Sequence, residues 1–140
     1  DILSKRINDD STIYKPSIGI ICFYKFQVQF IENLLKRSSL LEGNNIKVCT
    51  INDIQGDEKD IIIISCSRAN IAKSIGETDS KNRLNVALTR AKTASILVMN
   101  KATFEFNFMW AALIMHYKQR NRLFSVNSNH KVFDEFFTVY

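Results

Sequence analysis

The run "IIIISCS" at residues 61–67 constrains the fold most, because its branched apolar side chains fall on both faces of any strand it forms. A half-solvated strand alternates apolar with polar. A run like this predicts a central strand covered on each side. "SIGIICFY" (17–24), "IKVCTI" (46–51) and "ASILVM" (94–99) are further short apolar runs. Helical patterns lie between them. Residues 25–37 place Phe26, Phe30 and Leu34 near helical spacing, with Ile31 and Leu35 widening the face. Residues 82–92 and 102–120 also read as helix. Strands alternating with helices predict an α/β fold of three layers, a mainly parallel sheet between helices.

At 140 residues and 46% hydrophobic content, the chain can bury one ordinary core. One proline, four glycines and 24% charged residues exclude a low-complexity chain. The net charge of +5 suits an anionic partner, but is equally common on plain globular domains. Cys22, Cys49 and Cys66 each sit in an apolar run, without the close pairs of a zinc site. Their odd count fits no disulfide framework, so buried thiols in a reducing, intracellular setting are expected. No apolar run is long enough to span a bilayer, and the start lacks a signal-peptide layout. The opening "DILSKRINDD" carries no initiator Met, which leads us to expect a piece of a longer protein.

Two stretches carry candidate chemistry. In "NRLNVALTRAK" (82–92), Leu84, Ala87, Leu88 and Ala91 form one stripe to bury. Arg83, Val86 and Arg90 repeat that spacing one residue earlier, on an adjacent face. These arginines read either as solvated cations beside a buried stripe or as forks for phosphate oxygens. In "NDIQGDEKD" (52–60), Gly56 permits positive φ or close approach, Gln55 can orient a water or phosphate oxygen, and Glu58 can accept from sugar hydroxyls. Alone, these are also ordinary turn residues before a strand. Lacking the lysine and Ser/Thr that follow a P-loop glycine, the turn cannot hold a triphosphate and magnesium by that route. In sheets of this kind ligands gather at the carboxyl ends of strands, where this loop and "ANIAKSIGETDSK" (69–81) begin. His116 reads as a solvated or capping residue. Trp110, Phe104, Phe106 and Phe108 read as core.

Taken together, "TINDIQGDEKDIIIISCSRAN" resembles motif V and "NRLNVALTRAK" motif VI of superfamily-1 helicases. The likeness is to the group containing the nonsense-mediated-decay, senataxin-like and immunoglobulin-switch-binding helicases. "IGIICFYKFQ" resembles the strand and helix "GIITPYKxQ" of that family. The order and separation of all three agree, over about residues 17 to 118.

This resemblance implies the second RecA-like lobe of an ATP-dependent helicase acting on RNA or DNA, over residues 17–120. Residues 1–16 would lead in from a preceding domain and 121–140 would form a C-terminal extension. ATP and Mg2+ would be held mainly by a first RecA-like lobe of the same polypeptide. Arg90 matches the arginine finger, Gln55 and Gly56 the motif V turn near the phosphate, Glu58 the ribose-associated acid, and Arg83 a basic position of motif VI. Thr50 and the segment Cys22, Phe23, Tyr24 match regions along the single-strand backbone. The whole enzyme would move along a strand toward its 3′ end, in cytoplasm or nucleus, without a membrane. The isolated lobe is expected to fold and not to hydrolyse ATP. The chain departs from the family at Cys22-Phe23, where Thr-Pro is usual, and at Asn52, Ile54 and Asn82. The rival expectation is therefore a degenerate lobe serving as a nucleic-acid or protein binding module.

Overall fold

Four parallel strands form the sheet: β1 (Ile18–Cys22), β2 (Ile46–Thr50), β3 (Lys59–Cys66) and β4 (Ala91–Met99), in the order β2-β1-β3-β4. The computed structural model describes residues 14–38, 44–68, 70 and 72–126. Of the expected lead-in (1–16) and C-terminal extension (121–140), residues 1–13 and 127–140 lie outside the described residues. Two units are distinguished, residues 1–104 and 105–140.

In the first unit, α1 (Lys25–Arg37) connects β1 to β2 and α2 (Lys81–Leu88) connects β3 to β4. The two crossovers step outward in opposite directions across the sheet. Right-handed connections therefore put α1 and α2 on opposite faces, the arrangement of a RecA-like α/β domain. Strand alternation assigns Cys22, Thr50 and Ser65 to one face and Ile21, Cys49 and Ile64 to the other. The Gln27 side-chain amide donates to Ser65 Oγ at 2.6 Å, which places α1 over the first face.

The central position expected of 61–67 is found, since β3 lies between β1 and β4. Its two faces differ: Ile62, Ile64 and Cys66 are buried, whereas Ile61, Ile63 and Ser65 are half-buried. The apolar face expected of α1 is found only in part, rotated toward its Ile31 and Leu35 edge. Phe26, Phe30 and Leu34 are 86%, 65% and 47% exposed, and Val28, Ile31 and Leu35 lie on the more covered side. The Gln27–Ser65 bond explains the rotation, because it turns Gln27 and its i+4 neighbour Ile31 toward the sheet.

The helix expected over 82–92 is shorter. It is capped at Ser80, whose hydroxyl accepts from Arg83 N–H, and it ends at Leu88. Ala91 and Lys92 belong to β4 instead, three residues before the expected strand start. Pairing of Ala91 with Lys59 outweighs the local helical pattern there. The helix expected over 102–120 is likewise divided. In the first unit α3 covers only Lys101–Phe104. In the second, α4 spans Phe108–Gln119, with Asn107 Oδ1 accepting from the N–H groups of Met109 and Trp110. Phe104 and Trp110 are buried as expected, but Phe106 and Phe108 are 62% and 90% exposed.

All three cysteines are free and buried. Cys49 and Cys66 share a face but stand two strands apart, roughly 10 Å at the usual strand spacing, too far for a disulfide. Burial pushes the Cys22 and Cys66 thiols up to about 12, so both are neutral and inert near pH 7.

A reciprocal clamp fixes the start of the sheet. Asp60 Oδ2 accepts from Ser17 N–H at 2.8 Å and from the Ser17 hydroxyl at 2.6 Å, while Asp60 N–H donates to Ser17 Oγ at 3.0 Å. Hydrogen bonds from the Ser17 side chain, the Ser17 backbone and Tyr14 hold this carboxyl down at about 2, from an ordinary 3.8. Its contribution is complete above the unfolded value and is lost as pH falls from about 4 toward 2. Asp60→Asn should therefore flatten the stability profile in that window, read as denaturation midpoints between pH 2 and 5. A variant profile that still falls as steeply as the parent would refute this role.

Candidate functional site

The expected loops do not open onto a single crevice at the carboxyl ends of the strands. After Thr50 the chain must return to the opposite edge to begin β3, about 20 Å away at the usual rise per residue. Residues 51–58 make that passage. Ile51 and Ile54 are buried, and turns close at Asp53 N–H to Thr50 O and Asp57 N–H to Ile54 O. Asp57 accepts from Lys47 Nζ at 2.9 Å and lies 3.3 Å from Lys59 Nζ. Since Lys47 is on the face of Ile21 and Ile64, the passage crosses that face. The Lys47 hydrogen bond chiefly, then that from Lys59, holds the Asp57 carboxyl below its ordinary range. These cations clamp the turn that carries Gln55, Gly56 and Glu58.

Gly56 has φ +82°, a conformation costly for any residue with a Cβ, and nothing lies within 4 Å of where that atom would stand. Gln55 and Glu58 are exposed beside it. The turn thus delivers two polar side chains and an open glycine to the amino edge of the sheet.

Arg90 stands at the same edge. Its carbonyl accepts from Lys59 N–H at 3.0 Å, so its backbone is bonded to the residue immediately after Glu58. Its side chain is half-buried, with Nε donating to Val86 O at 3.2 Å and Nη2 to Thr89 Oγ1 at 3.2 Å. The Thr89 hydroxyl donates in turn to Val86 O at 3.1 Å. Nη1 has no partner among the described residues.

Arg83 is not brought to this place. It lies in the first turn of α2 and forms an ion pair with Glu77. Seven residues of helical rise separate the two arginines by about 10 Å along the axis, one at each end. Glu77 N–H donates to the Tyr24 hydroxyl at 3.1 Å, and Arg68 Nε donates to the same hydroxyl at 3.0 Å. The Arg68 guanidinium stacks 5.1 Å over the Tyr24 ring. Gly76, at φ +54°, completes the cluster. A Cβ there would fall 2.7 Å from the Tyr24 hydroxyl and 2.8 Å from Arg68 Nη2.

This second cluster sits at the carboxyl edge, where β1 and β2 end. Cys22, Phe23 and Thr50 are there too, with buried side chains. The Thr50 hydroxyl donates to Asp53 Oδ2 at 2.5 Å, and Cys22 O accepts from Ile51 N–H at 2.9 Å. Sequence reasoning missed Arg68 and Glu77, which carried no local signal. Thr89, with Asn85, was legible as a polar group close to the arginines, but not as a partner of Arg90. His116 is exposed and contacts Arg120 through Nδ1 at 2.9 Å, as expected of a solvated residue near a helix end. Among the described residues no group of three or more His, Cys, Asp or Glu is placed to hold a metal ion, and no helix is long and apolar enough to cross a membrane.

A parallel four-stranded sheet flanked by helices, with Arg90 bonded to the first residue of the strand that the glycine turn enters, is the architecture of a RecA-like α/β domain. Comparison with known proteins narrows this further. The AAA domain family matches residues 2–102. "Regulator of nonsense transcripts 1" of Caenorhabditis elegans is 37% identical over 126 residues, 88% of this chain and 12% of that protein. "Probable helicase MAGATAMA 3" of Arabidopsis thaliana is 37% identical over 111 residues, 79% of this chain and 14% of its own length. "ATP-dependent helicase NAM7" of Saccharomyces cerevisiae is 32% identical over 125 residues, 87% and 13% respectively. The chain belongs to the AAA domain family, in the superfamily-1 helicase group of the nonsense-transcript regulators. It spans 12 to 14% of the length of these relatives.

Proposed function

We propose that this chain is the second RecA-like lobe, residues 17–120, of an ATP-dependent helicase working on single-stranded RNA or DNA in the cytoplasm or nucleus. The observation that carries the reading is the Lys59 N–H to Arg90 O bond, which joins the motif VI arginine to the exit of the motif V turn. Arg90 would act as the finger, reaching a nucleotide bound chiefly by a first lobe and stabilising charge that develops on the transferred phosphoryl group. Gln55 and the open Gly56 backbone would face the phosphates and Glu58 the ribose. The first lobe would supply the Mg2+ site.

The carboxyl edge would carry the strand. Because Cys22, Phe23 and Thr50 are buried, what they present is backbone and shape, which suits contact with phosphates rather than bases. Tyr24 and Arg68 add a stacked, cationic surface beside them. Arg83, paired with Glu77 beside Tyr24, would serve this edge rather than the nucleotide.

The test is ATP hydrolysis by the full-length protein with and without single-stranded nucleic acid. Hydrolysis that rises on adding strand is the expected result. A full-length protein that binds a strand but hydrolyses no ATP would overturn this reading in favour of a binding module.

A further inference from the structure

The end of α2 shows how an arginine at this edge is held. Arg90 N–H bonds to Ala87 O at 3.3 Å, one residue short of the helical i−4 pattern, which leaves the Val86 carbonyl without that backbone partner. Two side chains fill the position. The Thr89 hydroxyl donates to Val86 O at 3.1 Å and Arg90 Nε donates to it at 3.2 Å. Arg90 Nη2 then donates to Thr89 Oγ1 at 3.2 Å, closing a three-membered ring of bonds.

A guanidinium has five N–H donors in a rigid plane. Here its Nε–Nη2 side edge is engaged, by one carbonyl and one hydroxyl. The end edge, made by Nη1 and the second hydrogen on Nη2, stays open. A long side chain that would otherwise sample many rotamers is held in one plane, with a two-nitrogen fork available for oxygens of an anion.

We infer that Thr89 is a positioning residue for Arg90: its hydroxyl fixes the plane of the guanidinium so that the open end edge is presented to phosphoryl oxygens. This rests on the finger reading of Arg90. Thr89 itself touches no nucleotide in this scheme; it acts through its neighbour. A hydroxyl is needed because the group must donate to Val86 O and accept from Nη2 together. Valine has the same shape and can do neither, whereas serine can do both.

The experiment compares Thr89→Val, Thr89→Ser, Arg90→Ala and the Thr89→Val/Arg90→Ala double variant in the full-length protein, with ATP and single-stranded nucleic acid. Thr89 is exposed, so the folded state is expected to survive in each, checked by thermal melting. Thr89→Val should lower kcat roughly 10-fold with KM for ATP within about twofold, the size of effect that misorienting one group produces. Thr89→Ser should stay within about twofold of the parent, and the double variant should be no worse than Arg90→Ala alone. A deep loss in Arg90→Ala beside an unchanged kcat in Thr89→Val would overturn the positioning role and leave the finger standing. Equal losses in valine and serine, or a double variant about tenfold below Arg90→Ala, would also overturn it. Undiminished turnover in Arg90→Ala would remove the finger reading itself.

Discussion

Arg90→Ala in the full-length protein is expected to cut nucleic-acid-stimulated kcat on the order of 10³-fold, about 4 kcal/mol of transition-state stabilisation. Arg90→Lys should fall within about tenfold of the alanine variant, although it keeps the charge. The reason lies in the bonding at the end of α2. Lysine has no Nε–H to give Val86 O and no second nitrogen for Thr89 Oγ1, so it loses the interactions that orient Arg90. Its ammonium is a strongly hydrated point charge and cannot span two phosphoryl oxygens. Steady-state turnover of both variants decides the matter. A lysine variant with near-parental kcat would mean that charge alone matters at this edge, and an alanine variant within about threefold would mean that Arg90 is no finger.

The parallel sheet was legible because "IIIISCS" and its neighbouring apolar runs alternate with helical patterns, which supply the crossovers that parallel strands need. What local pattern could not convey was the end of α2. Ala91 continues the helical stripe from Leu84, Ala87 and Leu88, yet its partner Lys59 is far away in the chain, and that pairing settles its conformation. The same long-range bond brings Arg90 beside Glu58, which no spacing rule anticipates. The α1 surface failed for a different reason. Two apolar stripes compete on that helix, and a polar residue, Gln27, selects between them through Ser65.

The site residues divide along similar lines. Gln55, Gly56, Glu58 and Arg90 were grouped by resemblance, and the fold brings them to one edge. Arg83 has the spacing that puts it on the face of Arg90, but seven residues of helical rise separate the two along the axis, and Arg83 pairs with Glu77 at its own end. The carboxyl-edge rule also misled, since residues 51–58 use their length to cross the sheet and present their polar groups at the amino edge. An eight-residue link carrying two buried isoleucines is a crossing segment rather than a surface loop, and Ile51 and Ile54 are the features from which this could have been read.

Ile54→Ala is accordingly expected to destabilise the lobe by about 3 kcal/mol, within the range for an isoleucine truncated in a core. For a domain of this size that lowers Tm by roughly 10 °C. Ile54 is 0% exposed and stands directly before Gln55, so the same truncation loosens the anchor on which the turn is held. The exposed neighbour Gln55→Ala should leave stability within about 0.5 kcal/mol. Paired melting curves separate the two. An Ile54→Ala variant that melts within about 2 °C of the parent would show that residues 51–58 lie on the sheet without being part of its core. The Lys47 and Lys59 contacts to Asp57 would then be left as the main restraint on the glycine turn. These contacts are partly exposed and salt-screened, which is why a turn held by them alone would be a loose support for the side chains proposed to meet a nucleotide.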